Sequence, residues 1–214
     1  MNRQIILFAS TNKGKFEEFQ RLIHLDPRLF DLVSLSDLGY AVPPLEETGN
    51  TFAENAALKI THARSHLKTN HKHAIVIADD SGMCITALQG KPGIYSRRWA
   101  GHEMTDEEII AYCLAKLKQC DDRTAEYVTA FAISLPDSLT PLIIQDYTRG
   151  TILTSPRRES YVEGLPFRAL FFIPELAMMF HEARELPLKN RKNLHIGHEN
   201  ALGKCRDYIL MQTI

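Results

Sequence analysis

Hydrophobic positions along the chain follow two rhythms. Short apolar runs at Gln4–Ala9, Phe30–Leu35 and Ile75–Ala78 are bounded by turn-forming or charged residues and predict buried strands. Between them the period changes. Phe16, Phe19, Leu22 and Ile23 recur at helical spacing and predict a helix over Lys15–Leu25, stopped by Asp26-Pro27. Thr51-Phe52-Ala53-Glu54 is a capping-box pattern. It opens a helix to about Leu67, with Phe52, Ala56, Ile60 and Ala63 on one side. Thr105-Asp106-Glu107-Glu108 repeats the pattern and starts a helix whose inward residues are Ile109, Ile110, Cys113, Leu114 and Leu117.

Strands return afterwards. Met83–Leu88 reads as a further strand or hairpin arm, and Gln89–Gly93 as a turn. Tyr127–Leu135 and Leu142–Arg149 read as paired strands across a Pro136–Pro141 turn, with Thr151–Leu153 extending the second. Leu170–Ile173 is a short apolar run stopped by Pro174; Glu175–Glu185 and Asn200–Met211 read as helices. Gly39–Gly49 is a loop rich in proline and acid. Helices interspersed among strands predict an α/β fold with an antiparallel part in the second half. One fold with a central cleft over 1–214 fits better than two independent domains.

Charge narrows the function classes. Lys and Arg number 25 against 26 Asp and Glu. A general nucleic-acid binder usually shows a basic excess, so no nucleic-acid partner is expected. No apolar stretch has the length of a membrane span. The run Ile5–Ala9 is too short for a signal-peptide core, and a cytoplasmic location is expected. Cys84, Cys113, Cys120 and Cys205 have no zinc spacing and read as buried free thiols, with Cys113 and Cys120 on one helix face. His62 and His66 have an i,i+4 spacing without a third ligand, and read as a solvated helix face.

Three blocks carry candidate chemistry. In Ile75–Gly82 a greasy run meets two adjacent acids, Asp79 and Asp80, then Ser81 and Gly82. Acids at the end of a buried strand need compensation, and a metal ion supplies it in many phosphate-handling enzymes. A simple turn fits the same residues. Ser10-Thr11-Asn12-Lys13-Gly14-Lys15 lies between a strand and a helix, where free backbone N–H groups receive anions. It lacks the Walker A spacing, and an ordinary helix cap with solvated lysines fits it equally. Glu46-Glu47 precede Gly49 and could face a metal, with Lys59 on the following helix; a charged loop is the alternative.

Taken in order, the blocks resemble a known family. Ser10–Lys15 match T/S-x-N-x-x-K, and Glu47–Lys59 match ETG-x-x-F-x-ENA-x-x-K. Ala78–Gly82 match ADDSG, and Ala87–Arg97 match ALGG-x-PG-x-YSAR. The chain is thereby similar to the inosine/xanthosine triphosphate pyrophosphatases, the Ham1-like nucleotidases. That resemblance implies an elongated mixed sheet flanked by helices, with two lobes around a nucleotide-binding cleft. It implies Mg²⁺-dependent hydrolysis of ITP, dITP and XTP to monophosphate and pyrophosphate, by a homodimer that cleans nucleotide pools. It assigns Asp80 as proton acceptor and metal ligand, and Glu46 as the second metal ligand. It assigns Ser10, Thr11, Asn12, Lys13, Gly14 and Lys15 to the phosphates, with Lys59, Ser81 and Lys192 as further substrate contacts.

The resemblance is weaker in the C-terminal third. The family's G-F-G-Y-D-P-I-F reads here Gly164-Leu165-Pro166-Phe167-Arg168-Ala169-Leu170-Phe171. A tyrosine becomes Phe167 and an aspartate becomes Arg168. The family's His-Arg pair becomes Gly197-His198. Leu165, Phe167, Arg168, Gly197 and His198 are thus the candidate base pocket. Sites that hydrogen-bond a substrate group discriminate by roughly 10⁴ or more, so losing that arginine bears on selectivity. The alternatives are the same chemistry with altered or relaxed base choice, and a catalytically silent nucleotide-binding protein.

Overall fold

The computed structural model describes residues 3–136, 138, 140–187, 190 and 194–213. Lys192 lies outside the described residues. The elements run β1 (Gln4–Phe8), α1 (Lys13–Ile23), β2 (Phe30–Ser34), α2 (Phe52–His66), β3 (Ile75–Ile85), α3 (Asp106–Lys116), β4 (Thr124–Ser134), β5 (Leu142–Ile152), β6 (Phe171–Ile173), β7 (Met178–Met179), α4 (Phe180–Glu185) and α5 (Gly197–Thr213). The strands form a mixed sheet in the order β2-β1-β3-β4-β5-β6-β7. β1 pairs parallel with β2 and with β3, placing Phe8 opposite Ser34 and Ile77. β6 pairs antiparallel with both β5 and β7. This is the α/β class with a mixed, helix-flanked sheet expected from the sequence.

The chain divides into two compact units. The first holds Met1–Asp80, Thr129–Asp146 and His198–Ile214; the second holds Ser81–Val128 and Tyr147–Gly197. In the first, Ile6 and Phe8 of β1, Phe19 and Ile23 of α1, Ile75 and Ile77 of β3 and Ile209 of α5 share one core. Phe8 and Phe19 stack at 4.6 Å between ring centroids. In the second, Met83, Ile85, Ile109, Cys113, Phe171 and Phe180 do the same.

Four expectations are corrected. The strand does not stop at Asp79-Asp80. β3 continues to Ile85, so Met83–Leu88 is no separate arm, and Thr86–Leu88 forms a 3₁₀ turn. Apolar residues buried before and after the acids, from Ile75–Ala78 to Met83 and Ile85, anchor both ends of the strand and let it run through them. Glu175–Glu185 is not one helix. Pro174–Leu176 forms a 3₁₀ turn and Ala177 adopts a left-handed φ of 51°. That reversal lets Met178–Met179 pair with β6 before α4 begins. The helix α3 ends at Lys116, so Cys120 does not share its face with Cys113. All four cysteines are free, but only Cys113 and Cys205 are fully buried.

The second capping box is complete, with Thr105 and Glu108 bonded reciprocally. The first is half made. Thr51 Oγ1 accepts the Glu54 N–H at 3.1 Å, while the Glu54 carboxylate takes the N–H of Asn50 at 2.6 Å. The glutamate thereby ties the preceding loop to α2.

Candidate functional site

Strand geometry separates the two acids. Successive side chains of a strand point to opposite faces. Asp79 therefore meets α1 and Asp80 meets α2. The Lys15 ammonium lies 2.9 Å from Asp79 Oδ2. Lys15 stands there because Asn12 caps α1, its Oδ1 accepting the Lys15 N–H at 3.0 Å. Asp80 receives the Asn55 amide on Oδ2 at 3.0 Å and the Lys59 ammonium on Oδ1 at 3.1 Å. Asn55 and Lys59 are four residues apart, one above the other on α2.

Lys59 gathers more than Asp80. Its ammonium also lies 2.9 Å from the Asp79 carbonyl oxygen and 3.1 Å from Glu47 Oε1. One cation thus bridges a strand acid and a loop acid. Asn55 supports the loop from below: it is buried, and its Oδ1 accepts the Gly49 N–H at 2.9 Å. A Cβ on Gly49 would sit 2.5 Å from that same Oδ1, so only glycine lets the loop come this close.

Both aspartates are buried, with opposite consequences. Burial pushes the Asp80 carboxyl above its ordinary value and the Glu47 charge pushes the same way; Lys59 and Asn55 oppose without cancelling them. Burial acts on Asp79 too. There the charges of Lys15 and Lys59, the Lys15 hydrogen bond and the charge of His198 outweigh it, and its carboxyl lies below the usual range. A raised acid beside a lowered one allows one carboxylate to exchange protons while its neighbour stays ionised.

A cavity of about 450 Å³ opens at this place in the first unit. Ser10, Thr11, Asn12 and Lys15 line one side; Val42–Leu45, Glu47 and Lys59 line another, with Asp79 between. The size suits a small-molecule ligand. Lys15 and Lys59 both face the cavity, alongside the acids Glu47 and Asp79.

Family comparison gives the arrangement its context. Residues 6–208 match the model of the Ham1 family. The chain belongs to the Ham1 family. It is 41% identical over 171 residues to a dITP/XTP pyrophosphatase of Exiguobacterium sp., covering 80% of this chain and 81% of that protein. It is 39% identical to the dITP/XTP pyrophosphatase of Bacillus subtilis, covering 79% and 80%. Among solved structures, a HAM1 protein from Coxiella burnetii superposes with a TM-score of 0.76 at 31% identity, covering 97% of this chain and 99% of that one. The Staphylococcus aureus Ham1 protein superposes with a TM-score of 0.75 at 31% identity, covering 98% and 100%.

In this Ham1 chain the expected residues fall into distinct places. Ser10, Asn12, Lys15 and Lys59 line the cavity, and Lys15 and Lys59 tie it to Asp79 and Asp80. Thr11 lines the cavity from an exposed position. Lys13 and Gly14 sit on the exposed first turn of α1, where Lys13 faces Glu17 at 3.7 Å. Glu46 is exposed, and its neighbour Glu47 is the acid that reaches Lys59. His198 is buried, its ring edge-on to Phe131 at 5.2 Å between centroids.

The other candidates belong to the second unit. Ser81 Oγ lies 3.0 Å from the Tyr127 hydroxyl. Phe167 is buried in that unit's core, 6.5 Å from the Trp99 ring. Leu165 and Arg168 are half-buried on either side of it. A Cβ on Gly197 would fall on the Tyr147 backbone, while the Gly197 N–H donates to Thr148 Oγ1 at 2.9 Å. Gly197 is thus fixed by a close approach.

Sequence reasoning gives no part to two residues here. Asn55 joins the acid loop to Asp80, and its i,i+4 relation to Lys59 is the available signal. His62 is half-buried rather than solvated: it lines the cavity and bonds the Pro43 carbonyl at 2.7 Å through Nε2. Among the described residues no three His, Cys, Asp or Glu side chains cluster as a metal cage.

Proposed function

We propose that this protein hydrolyses non-canonical purine nucleoside triphosphates, dITP, ITP and XTP, to the monophosphate and pyrophosphate. The observation that carries the reading is the Lys59 ammonium bridging Asp80 and Glu47 beside a cavity walled by Ser10–Asn12. The relatives named dITP/XTP pyrophosphatase support it. On this reading the 214 residues act as a single pyrophosphatase domain.

Asp80 is the proton acceptor. Its carboxylate, made a stronger base by burial and by the Glu47 charge, takes a proton from the attacking water. The Ser10–Lys15 loop and the N-terminus of α1 receive the phosphates, with Lys15 and Lys59 supplying charge. Ser81 and Lys192 contact substrate. Asp79 keeps Lys15 in place.

A divalent cation fits the donor set. Two carboxylate oxygens, from Asp80 and Glu47, already lie within 3.1 Å of one positive nitrogen, and hard oxygens are what Mg²⁺ prefers. Asp80 with an acid of the Glu46-Glu47 pair would hold Mg²⁺, which would neutralise triphosphate charge. The family resemblance supports a homodimer in the cytoplasm; no helix among the described residues is long and apolar enough to cross a membrane.

A second reading, the same chemistry with relaxed base choice, is favoured by two positions. Gly197 carries no side chain, and His198 is buried against Phe131. A panel of dITP, ITP, XTP, dATP, GTP and dUTP with pyrophosphate detection separates the readings. A strong preference for dITP, ITP and XTP supports the first; equal rates across the panel support the second. Nucleotide binding without turnover, with Mg²⁺ present, would leave only a binding protein.

A further inference from the structure

Asp106 is the first residue of α3 and is buried, yet its carboxylate reaches well beyond its own helix. Oδ2 accepts the Tyr161 hydroxyl at 2.9 Å and the Gly164 N–H at 2.7 Å. Oδ1 pairs with Arg97 Nη1 at 2.5 Å. Two separate stretches of the second unit, the Tyr161–Gly164 turn and the segment of Arg97, therefore meet on one carboxylate of α3. The hydrogen bond from Tyr161 pushes that phenol up to about 12, as expected for a donor held on a charged acceptor.

The hold on Gly164 extends along the chain. Gly164 has a left-handed φ of 80°, so the backbone turns sharply where its N–H is held. The Leu165 N–H then bonds the Val162 carbonyl at 2.9 Å, and the Arg168 N–H bonds the Leu165 carbonyl at 3.0 Å. These closed turns carry the orientation set at Gly164 onward to Leu165 and Arg168.

We infer that Asp106 is a positioning residue for base recognition, clamping the Tyr161–Gly164 turn to Arg97 so that Leu165 and Arg168 are presented in one fixed arrangement. The inference rests on the proposed pyrophosphatase reading and on the family resemblance that makes those two residues part of the candidate base pocket. Asp106 itself touches no substrate. A buried carboxylate that accepts two hydrogen bonds and faces one guanidinium charge suits this task, because releasing a partner leaves charge less compensated in a dry place.

The test pairs a structural readout with a kinetic one. Amide hydrogen exchange in the nucleotide-free protein reports the clamp whatever the enzyme does. Asp106→Asn, and more mildly Tyr161→Phe, should speed exchange over 164–168. With dITP both should raise KM, about tenfold for Asp106→Asn, with kcat within about twofold and the dITP-to-dATP preference narrowed. Thr105→Ala loosens the cap of α3 but spares the Asp106 partners; it should lower the melting temperature and leave the preference unchanged. Unchanged exchange over 164–168 would overturn the inference. So would equal loss of kcat on every substrate, or a Thr105→Ala protein with the same narrowed preference. Wild-type protein inert toward dITP would instead remove the pyrophosphatase reading, while exchange still judged the clamp. If Asp106→Asn does not fold, Tyr161→Phe carries both measurements.

Discussion

Lys59 holds its ammonium 3.1 Å from Asp80 Oδ1 and 2.9 Å from the carbonyl oxygen of Asp79. The helix side chain thus reads both the side chain of one acid and the backbone of the other. Both groups are presented by the single strand β3, which runs through the two acids without a break.

Asp80 is the group most exposed to test. Asp80→Asn keeps the side-chain volume and removes the proton acceptor. Turnover should fall by about 10²–10⁴-fold, the usual worth of a general base. Nucleotide affinity, followed by calorimetry, should change only a few-fold. Retained turnover would remove Asp80 from the mechanism.

Glu46 and Glu47 are adjacent yet differently placed. Glu47 meets Lys59, while Glu46 is exposed. Chelation with EDTA should abolish turnover, and Mg²⁺ should restore it. In a Mg²⁺ titration, the variant that removes a metal ligand should need about tenfold or more Mg²⁺ for half-maximal rate. Comparing Glu46→Gln with Glu47→Gln shows which acid that is. If neither shifts the titration, the loop holds no metal.

Asn55→Ala would strip a donor from Asp80 and an acceptor from the Gly49 N–H. Unmet buried polar groups cost about 1–3 kcal/mol each. Urea unfolding should show a loss of about 2–6 kcal/mol on that basis, together with reduced turnover. A stability change under about 0.5 kcal/mol, the range of ordinary surface substitutions, would contradict the structural role.

Burial pushes the thiols of Cys113 and Cys205 up to about 12, from 9.0. Thiols raised in the folded state release protons first on unfolding. Their stabilising contribution is complete below pH 9 and is lost as pH rises from there toward 12. Each removes about 1.4 kcal/mol per pH unit across that window. Urea midpoints of the wild type should therefore fall more steeply above pH 9 than those of Cys113→Ala/Cys205→Ala. Equal slopes would show that neither thiol stays protonated.

Much of this was legible in the sequence because it is local. Thr105 and Glu108 form their box because both partners lie within one helical turn. Asn12 caps α1 for the same reason. The Ser10–Lys15 and Asp79-Asp80 blocks were visible as residues, but their pairing was not. Lys15 and Asp79 are 64 positions apart, and only the parallel register of β1 with β3 brings them together. The continuation of β3 through two acids was hidden because strand propensity disfavours aspartate, and the compensating lysines come from other elements. Met178–Met179 was hidden because two residues carry no period; the left-handed Ala177 decides their fate. In the base-pocket region Gly197 looked like a lost side chain. The structure gives it a reason, the Tyr147 backbone against which nothing larger fits.

The most direct test of the central claim is the identity of the products from dITP and Mg²⁺, followed by ³¹P NMR. Pyrophosphate and dIMP should appear in equal amounts, with no dIDP at any time. Inorganic phosphate with dIDP would place the cut at the other phosphoanhydride bond and contradict the proposed reaction.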